Sequence, residues 1–161
     1  MQEKYWNYMV QIKAWIFYLD LYIEDSYKWE RRFNIFSAIA SSASIAAWTM
    51  WDQFSFLWAL VIAVSQVINA VKEFLPFSKR IKFIMPLLQN LKFLYNKMEY
   101  NWFGVASGEM TEEEMNKLLY RFKDEFSNIE NVGLKEEILT ERKDFMHLAD
   151  KRTTSYFMNH F

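Results

Sequence analysis

Two uncharged runs of mostly hydrophobic residues dominate the middle of the chain. Between Arg32 and Lys72 the only formal charge is Asp52, so residues 33–51 and 53–71 form two runs of 19 residues each. A helix that crosses a bilayer needs about 20 apolar residues, because each residue rises about 1.5 Å and the hydrocarbon core is about 30 Å thick. The pattern therefore predicts a transmembrane helical hairpin that turns at Asp52. A buried helix pair in a soluble bundle is the alternative interpretation.

Helical periodicity continues on both sides of these runs. From Gln2 to about Glu30, hydrophobic residues recur at three- and four-residue steps, which predicts an amphipathic helix that can run directly into the first span. Pro76 is expected to end the second span, because proline lacks an N–H and disfavours helix at the residue before it. The same periodicity then predicts a helix from about Ser78 to Trp102.

Two further helices are predicted near the C-terminus. Thr111 and Glu114 fit a capping box, which marks the start of one helix, and Gly133 is expected to stop it. The last helix is predicted to begin at Leu134. The buried faces predicted for these helices comprise Tyr5, Tyr8, Met9, Ile12, Trp15, Ile16, Leu19, Tyr22 and Ile23; Ile81, Ile84, Leu88, Leu91, Tyr95 and Met98; Met115, Leu118, Leu119, Phe122, Phe126 and Ile129; and Ile138, Phe145, Leu148 and Ala149.

These elements together predict an all-α membrane protein that forms a single unit. It would consist of an amphipathic helix over 1–32, a transmembrane hairpin over 33–75 and a cytoplasmic helical region over 76–161. The cations around the hairpin lie at its two outer ends and not at its turn. Because loops rich in Lys and Arg stay in the cytoplasm, both termini are expected there.

Small and polar residues form a stripe along the second run. On a helix, one narrow side would carry Ser55, Ala59, Ala63, Gln66 and Ala70, with Asn69 at its edge. Polar groups at membrane depth need a hydrogen-bonding partner. Two interpretations stay open: the stripe packs between helices, or it lines a water-filled path in a homo-oligomer.

Six cations near the hairpin are candidates for contact with lipid head groups or with an anionic nucleotide. They are Arg31, Arg32, Lys79, Arg80, Lys82 and Lys92. Anionic lipids attract basic segments beside a span, so this charge does not require nucleic acid as a partner, and none is expected.

The residue types that enzymes use are sparse. The chain has no cysteine and two histidines, and no phosphate-binding glycine loop or nucleophile motif occurs. Asp144, His147 and Asp150 share a helix face, but Lys143 and Lys151 crowd the same turns, as in an ordinary salt-bridged surface. No catalytic residue, metal site or cofactor is expected.

Five sequence features also suggest a family. They are Arg31-Arg32-Phe33 at the entry to the first run, the Ser- and Ala-rich composition of that run, Leu75-Pro76-Phe77, Glu99-Tyr100-Asn101-Trp102 before a glycine-containing loop, and the terminal segment 151–161. In this order they resemble the SLATT family, small prokaryotic two-transmembrane effectors associated with nucleotide-signalling and nucleotide-sensing proteins.

The resemblance implies an effector of an antiphage or conflict system. Such a protein would oligomerise and permeabilise or disrupt the inner membrane on a nucleotide-linked signal. Its partners would be further copies of itself, the lipid bilayer, and a nucleotide second messenger or a sensor protein encoded nearby. The alternative is a passive membrane anchor or assembly subunit without pore activity.

Overall fold

The computed structural model describes residues 1–47, 55–72, 77–133 and 139–161, and these are almost entirely helical. The helices are α1 (Gln2–Ala47), α2 (Ser55–Lys72), α3 (Phe77–Ala106), α4 (Glu112–Gly133) and α5 (Lys143–His160). No strand occurs in the described ranges. The all-α class predicted from the sequence is therefore confirmed.

The chain divides into two compact units. Unit 1 comprises Met1–Ile23 and Lys82–Phe161, and unit 2 comprises Glu24–Ile81. The predicted turn at Asp52 and the predicted helix end at Pro76 lie outside the described residues. In the parts that are described, no helix is both long enough and apolar enough to span a membrane.

Helix α1 is a single helix of 46 residues. Neither proline nor glycine occurs between Gln2 and Ala47, so nothing in this stretch removes a backbone donor or adds backbone freedom. The prediction that the N-terminal amphipathic helix runs on into the first uncharged run is confirmed.

The hydrophobic core of unit 1 forms where the N-terminal part of α1 packs with α3, α4 and α5. Met9, Ile84, Leu94 and Met98 are completely buried. The Tyr5 hydroxyl donates a hydrogen bond to the Met98 carbonyl at 2.9 Å, so this buried polar group is satisfied.

The predicted apolar face of α3 is confirmed at every position. Those buried residues are Ile81, Ile84, Leu88, Leu91, Tyr95 and Met98.

Helix α4 begins with the capping box that the sequence predicts. The Thr111 N–H donates to Glu114 Oε2 at 2.8 Å, and the Glu114 N–H donates to Thr111 Oγ1 at 3.3 Å. The two bonds satisfy backbone donors that a helix start leaves without partners. The hydrogen bond from the Thr111 backbone also lowers the pKa of the exposed Glu114 carboxyl.

Helix α5 begins later than the sequence predicts. The prediction of a helix start at Leu134 is wrong for residues 139–142, which are not helical, and α5 starts at Lys143. Two tyrosines of α1 bind the backbone of this segment: the Tyr22 hydroxyl donates to the Thr140 carbonyl at 3.1 Å, and the Arg142 N–H donates to the Tyr18 hydroxyl at 3.1 Å. These bonds occupy backbone groups that a longer helix would use internally.

Among the described residues of the predicted buried faces, Trp15 and Leu148 are exposed, by 37% and 45%, and Ile138 lies outside the described residues. The buried residues of α5, which include Phe145 and Ala149, recur every four positions, and Leu148 lies off that line. Trp15 borders a cavity, which is described below.

We expect Leu94→Ala to destabilise the protein by about 2 to 5 kcal/mol, because it leaves a cavity in a fully packed site. Leu148→Ala is the matched control and should change the free energy of unfolding by less than about 0.5 kcal/mol. Chemical denaturation followed by circular dichroism measures both. Equal losses would contradict the burial of Leu94 and the exposure of Leu148.

We also expect stability to fall at alkaline pH. Burial, together with the nearby Glu130 carboxylate, raises the pKa of Tyr8 from 10.0 to about 12. Between these pH values the unfolded chain loses the hydroxyl proton while the folded chain keeps it, so the free energy of unfolding decreases as pH rises. Denaturation midpoints should therefore fall over this window, and Tyr8→Phe should make the fall shallower. Tyr100→Phe, which removes a hydroxyl from an exposed ring, is the control and should leave the slope unchanged.

Candidate functional site

Helix α2 exposes nearly every side chain that the structure describes on it. Phe56, Leu60 and Val67 are 80%, 52% and 61% exposed, whereas Ser65 is the one buried side chain among those described. The exposed positions cover more than half of the helix circumference at 100° per residue. No formal charge interrupts this surface before Lys72. Soluble monomers rarely leave such apolar surface uncovered.

The adjoining part of α1 adds to this surface within unit 2. Ile35, Phe36 and Ile39 are exposed, and no charged residue lies between Phe33 and Ala47. We call the exposed residues of both helices the apolar surface of unit 2. It comprises Ile35, Phe36, Ile39, Phe56, Leu60, Ile62, Val64 and Val67.

The described residues of the predicted polar stripe lie on an exposed side of α2. Ala59, Ala63 and Gln66 are exposed and lie on one side of the helix. The Gln66 side chain is exposed and makes no hydrogen bond with another described residue. The side chains of Ser55 and Asn69 lie outside what the structure describes.

The predicted cations of unit 2 include two neighbours on α1. Arg31 and Arg32 are exposed, and the Arg32 guanidinium carbon lies 5.4 Å from the centre of the Trp29 ring. Arg80 belongs to the same unit and is half-buried, whereas the Lys79 side chain lies outside the described residues.

The other two predicted cations, Lys82 and Lys92, belong to unit 1. Lys82 is exposed. Lys92 Nζ forms an ion pair with Asp20 Oδ1 at 3.0 Å, in which both side chains are partly exposed. An anion that binds Lys92 must therefore compete with Asp20.

A shallow groove of about 450 Å³ runs along α1 beside Arg31. It is lined by residues at helical spacing on one face, including Tyr27, Glu30 and Asn34. A guanidinium next to an aromatic ring can contact a phosphate and stack with a planar group at once. Glu30 carries the opposite charge and would weaken the attraction for an anion.

One polar cluster in unit 1, centred on Lys13 of α1, was not predicted from the sequence. The Lys13 ammonium lies 3.6 Å from the ring centre of Tyr156 and 4.2 Å from that of Tyr95. Both tyrosine hydroxyls donate to Glu99 Oε1, at 2.7 and 3.4 Å. Burial lowers the pKa of Lys13, and the Glu99 carboxylate partly opposes this shift. The residues come from α1, α3 and α5, so no local pattern in the sequence marks the cluster.

The helix face of Asp144, His147 and Asp150 was examined from the sequence for divalent-ion binding. In the structure, Asp144 binds an arginine. Asp144 accepts hydrogen bonds from Arg142 Nε and Nη2 at 2.9 and 2.7 Å, which lower the pKa of its carboxyl. Among the described residues, no group of acidic and histidine side chains has the arrangement of a metal site.

Comparison of this chain with models of protein families, with curated proteins and with solved structures finds no match. The resemblance to the SLATT family stays a prediction from the sequence.

Proposed function

We propose that the protein is a membrane effector: unit 2 enters a lipid bilayer, and oligomers of the chain permeabilise or disrupt that membrane. The observation that carries this proposal is the apolar surface of unit 2. If this surface were covered by lipid, its burial would contribute about 25 cal/mol for each Å² removed from water. The flanking cations favour an orientation with both termini in the cytoplasm, and the SLATT resemblance implies the bacterial inner membrane as the location.

Charge at the edge of the apolar surface supports the same proposal. Arg31 and Arg32 are exposed directly before the uncharged part of α1. Exposed cations that border an apolar surface can bind the phosphates of anionic lipids while the apolar side chains enter the hydrocarbon. A soluble protein partner would satisfy the apolar side chains but would not require this distribution of charge.

Oligomerisation follows from the exposed Gln66 amide. In hydrocarbon, an amide without partners costs several kcal/mol, by the general estimate for unsatisfied polar groups. A second copy of the chain can supply those hydrogen bonds, and the exposed Ala59 and Ala63 let two helices approach closely. An oligomer with Gln66 toward its axis would line a path that admits water.

The signal that we propose is a nucleotide or a nucleotide-sensing partner, as the SLATT resemblance implies. Arg31 lies in a groove with Tyr27, which suits a planar base next to a phosphate. The same arginines can bind head groups, so the signal would compete with lipid for them.

We expect the protein to sediment with membranes and to bind anionic vesicles. Arg31→Gln combined with Arg32→Gln should weaken initial vesicle binding by roughly 30-fold at low salt, since each cation near an anionic surface contributes about 1 kcal/mol. Lys117→Gln with Lys123→Gln removes the same charge from unit 1 and should have little effect. Flotation with vesicles of defined composition measures the binding. Protein that remains wholly in the soluble fraction of cells would overturn the proposal.

Because the chain has no cysteine, a single introduced thiol can report which side of the membrane the predicted turn reaches. Asp52→Cys should react with a membrane-impermeant reagent from the periplasmic side if the hairpin spans the bilayer. If the introduced thiol reacts only after the cells are lysed, it stays on the cytoplasmic side, and unit 2 then lies on the cytoplasmic face of the membrane.

We expect Gln66→Leu combined with Asn69→Leu to reduce dye leakage and toxicity sharply while leaving membrane binding intact. The change removes two hydrogen-bonding side chains and makes any path apolar, which disfavours water in a narrow bore. Leu60→Ile with Val64→Ile, on the aliphatic side, is the control and should leak like wild type. Wild-type leakage from the Gln66 and Asn69 variant would show that the stripe only packs, and no leakage from wild type itself would favour the passive anchor.

A further inference from the structure

A cavity of about 610 Å³ lies within unit 1. Its lining comes from α1, α3, α4 and α5, together with the non-helical segment before α5. Protein cavities that hold small molecules typically measure about 300 to 1,000 Å³. The cavity is therefore large enough for an organic ligand with one or two rings.

The inner part of the cavity is apolar and well supported. Leu19, Leu87 and Leu91 line it and are almost completely buried, so they are held in place by the core of unit 1. Trp15 also lines it, with its ring edge-on to Tyr18 at 5.8 Å. The exposure of Trp15, which the sequence predicts to be buried, is explained by this cavity: its indole borders open space instead of packed side chains.

The charged groups among the described residues that line the cavity all carry the same sign. They are the carboxylates of Glu130, Glu141 and Asp150, and the described lining contains no lysine, arginine or histidine. None of the three forms an ion pair within the described part of the chain. By contrast, Asp20, Glu125 and Asp144 of the same unit each pair with a cation.

We propose that this cavity binds an organic cation with an apolar body, such as an aromatic or branched aliphatic amine. The apolar body would contact Leu19, Leu87 and Leu91, and the ammonium would lie near the carboxylates. Trp15 can contribute from its ring face, because an indole attracts a cation more strongly than the other aromatic rings. A neutral ligand of the same shape would gain no attraction from these carboxylates, and an anion would be repelled.

This inference does not rest on the proposed membrane function. The lining residues all belong to unit 1, whereas the apolar surface that carries the membrane proposal belongs to unit 2. Failure of one proposal therefore leaves the other intact, provided that binding is measured with purified full-length protein and small probes.

The test uses three probes with the same ring system: naphthylethylamine, naphthylethanol and naphthylacetate. Isothermal titration calorimetry should show that the amine binds about tenfold or more tightly than the alcohol, and that the acetate binds most weakly. Added salt should weaken binding of the amine and not of the alcohol, since screening acts on charge. Equal affinities for the amine and the alcohol would overturn the proposal.

Substitutions of the lining carboxylates test whether the amine binds in the cavity. Glu141→Gln with Asp150→Asn should weaken the amine about tenfold and leave the alcohol unchanged. The matched control is Glu109→Gln with Asp124→Asn, which removes two exposed carboxylates that do not line the cavity. If the control weakens the amine as much as the cavity variant does, the binding is general surface attraction and the proposal is wrong.

A filling variant tests the apolar part independently. Ala14 lines the cavity and is half-buried, so Ala14→Phe should occupy the space and abolish binding of both the amine and the alcohol. Its melting temperature shows whether the fold is retained. If the filled protein is folded and binds the amine as wild type does, the ligand lies elsewhere. If it does not fold, the charge variants decide the question.

Discussion

The Lys13 ammonium is the contact on which the geometry of unit 1 depends most. It lies against the rings of Tyr95 and Tyr156, and both of their hydroxyls donate to Glu99, so one cation, two rings and one carboxylate join α1, α3 and α5. Removing a cation from water is costly, and burial accordingly lowers the pKa of Lys13. The rings and Glu99 offset that cost only when the three helices meet at one position along their lengths. These contacts add a polar constraint on helix position to the close packing of the apolar core.

The wall of the cavity depends on hydrogen bonds to the backbone before α5. Tyr18 and Tyr22 bind the backbone at Arg142 and Thr140, which keeps that segment extended and delays the start of α5 to Lys143. Leu139 and Glu141 of this segment line the cavity, as does Tyr18. The hydrogen bonds of the two buried tyrosines therefore hold part of the cavity wall in place.

Sequence reasoning succeeded where structure is set by neighbours along the chain. The buried face of α3 and the capping box at Thr111 depend on residues three or four positions apart, and both were predicted correctly. It failed for residues 139–142, whose backbone binds Tyr18 and Tyr22, more than a hundred positions away. The cluster around Lys13 was not predicted for the same reason: its members are distant in the sequence. The cavity could not be predicted at all, since its lining requires several separate segments to meet.

The two units differ in where they place polar and apolar side chains. Unit 1 satisfies polar groups internally, as the hydrogen bond from the buried Tyr5 hydroxyl to the Met98 carbonyl illustrates. Unit 2 leaves Phe56 and the amide of Gln66 exposed on one helix. In water an exposed Phe56 ring is unfavourable, and in hydrocarbon a Gln66 amide without partners is unfavourable. No single solvent therefore suits both side chains. Under the proposed function, self-association within a bilayer would remove both penalties, because lipid would cover the ring while another copy would pair with the amide. The exposed amide would then link membrane entry to oligomerisation.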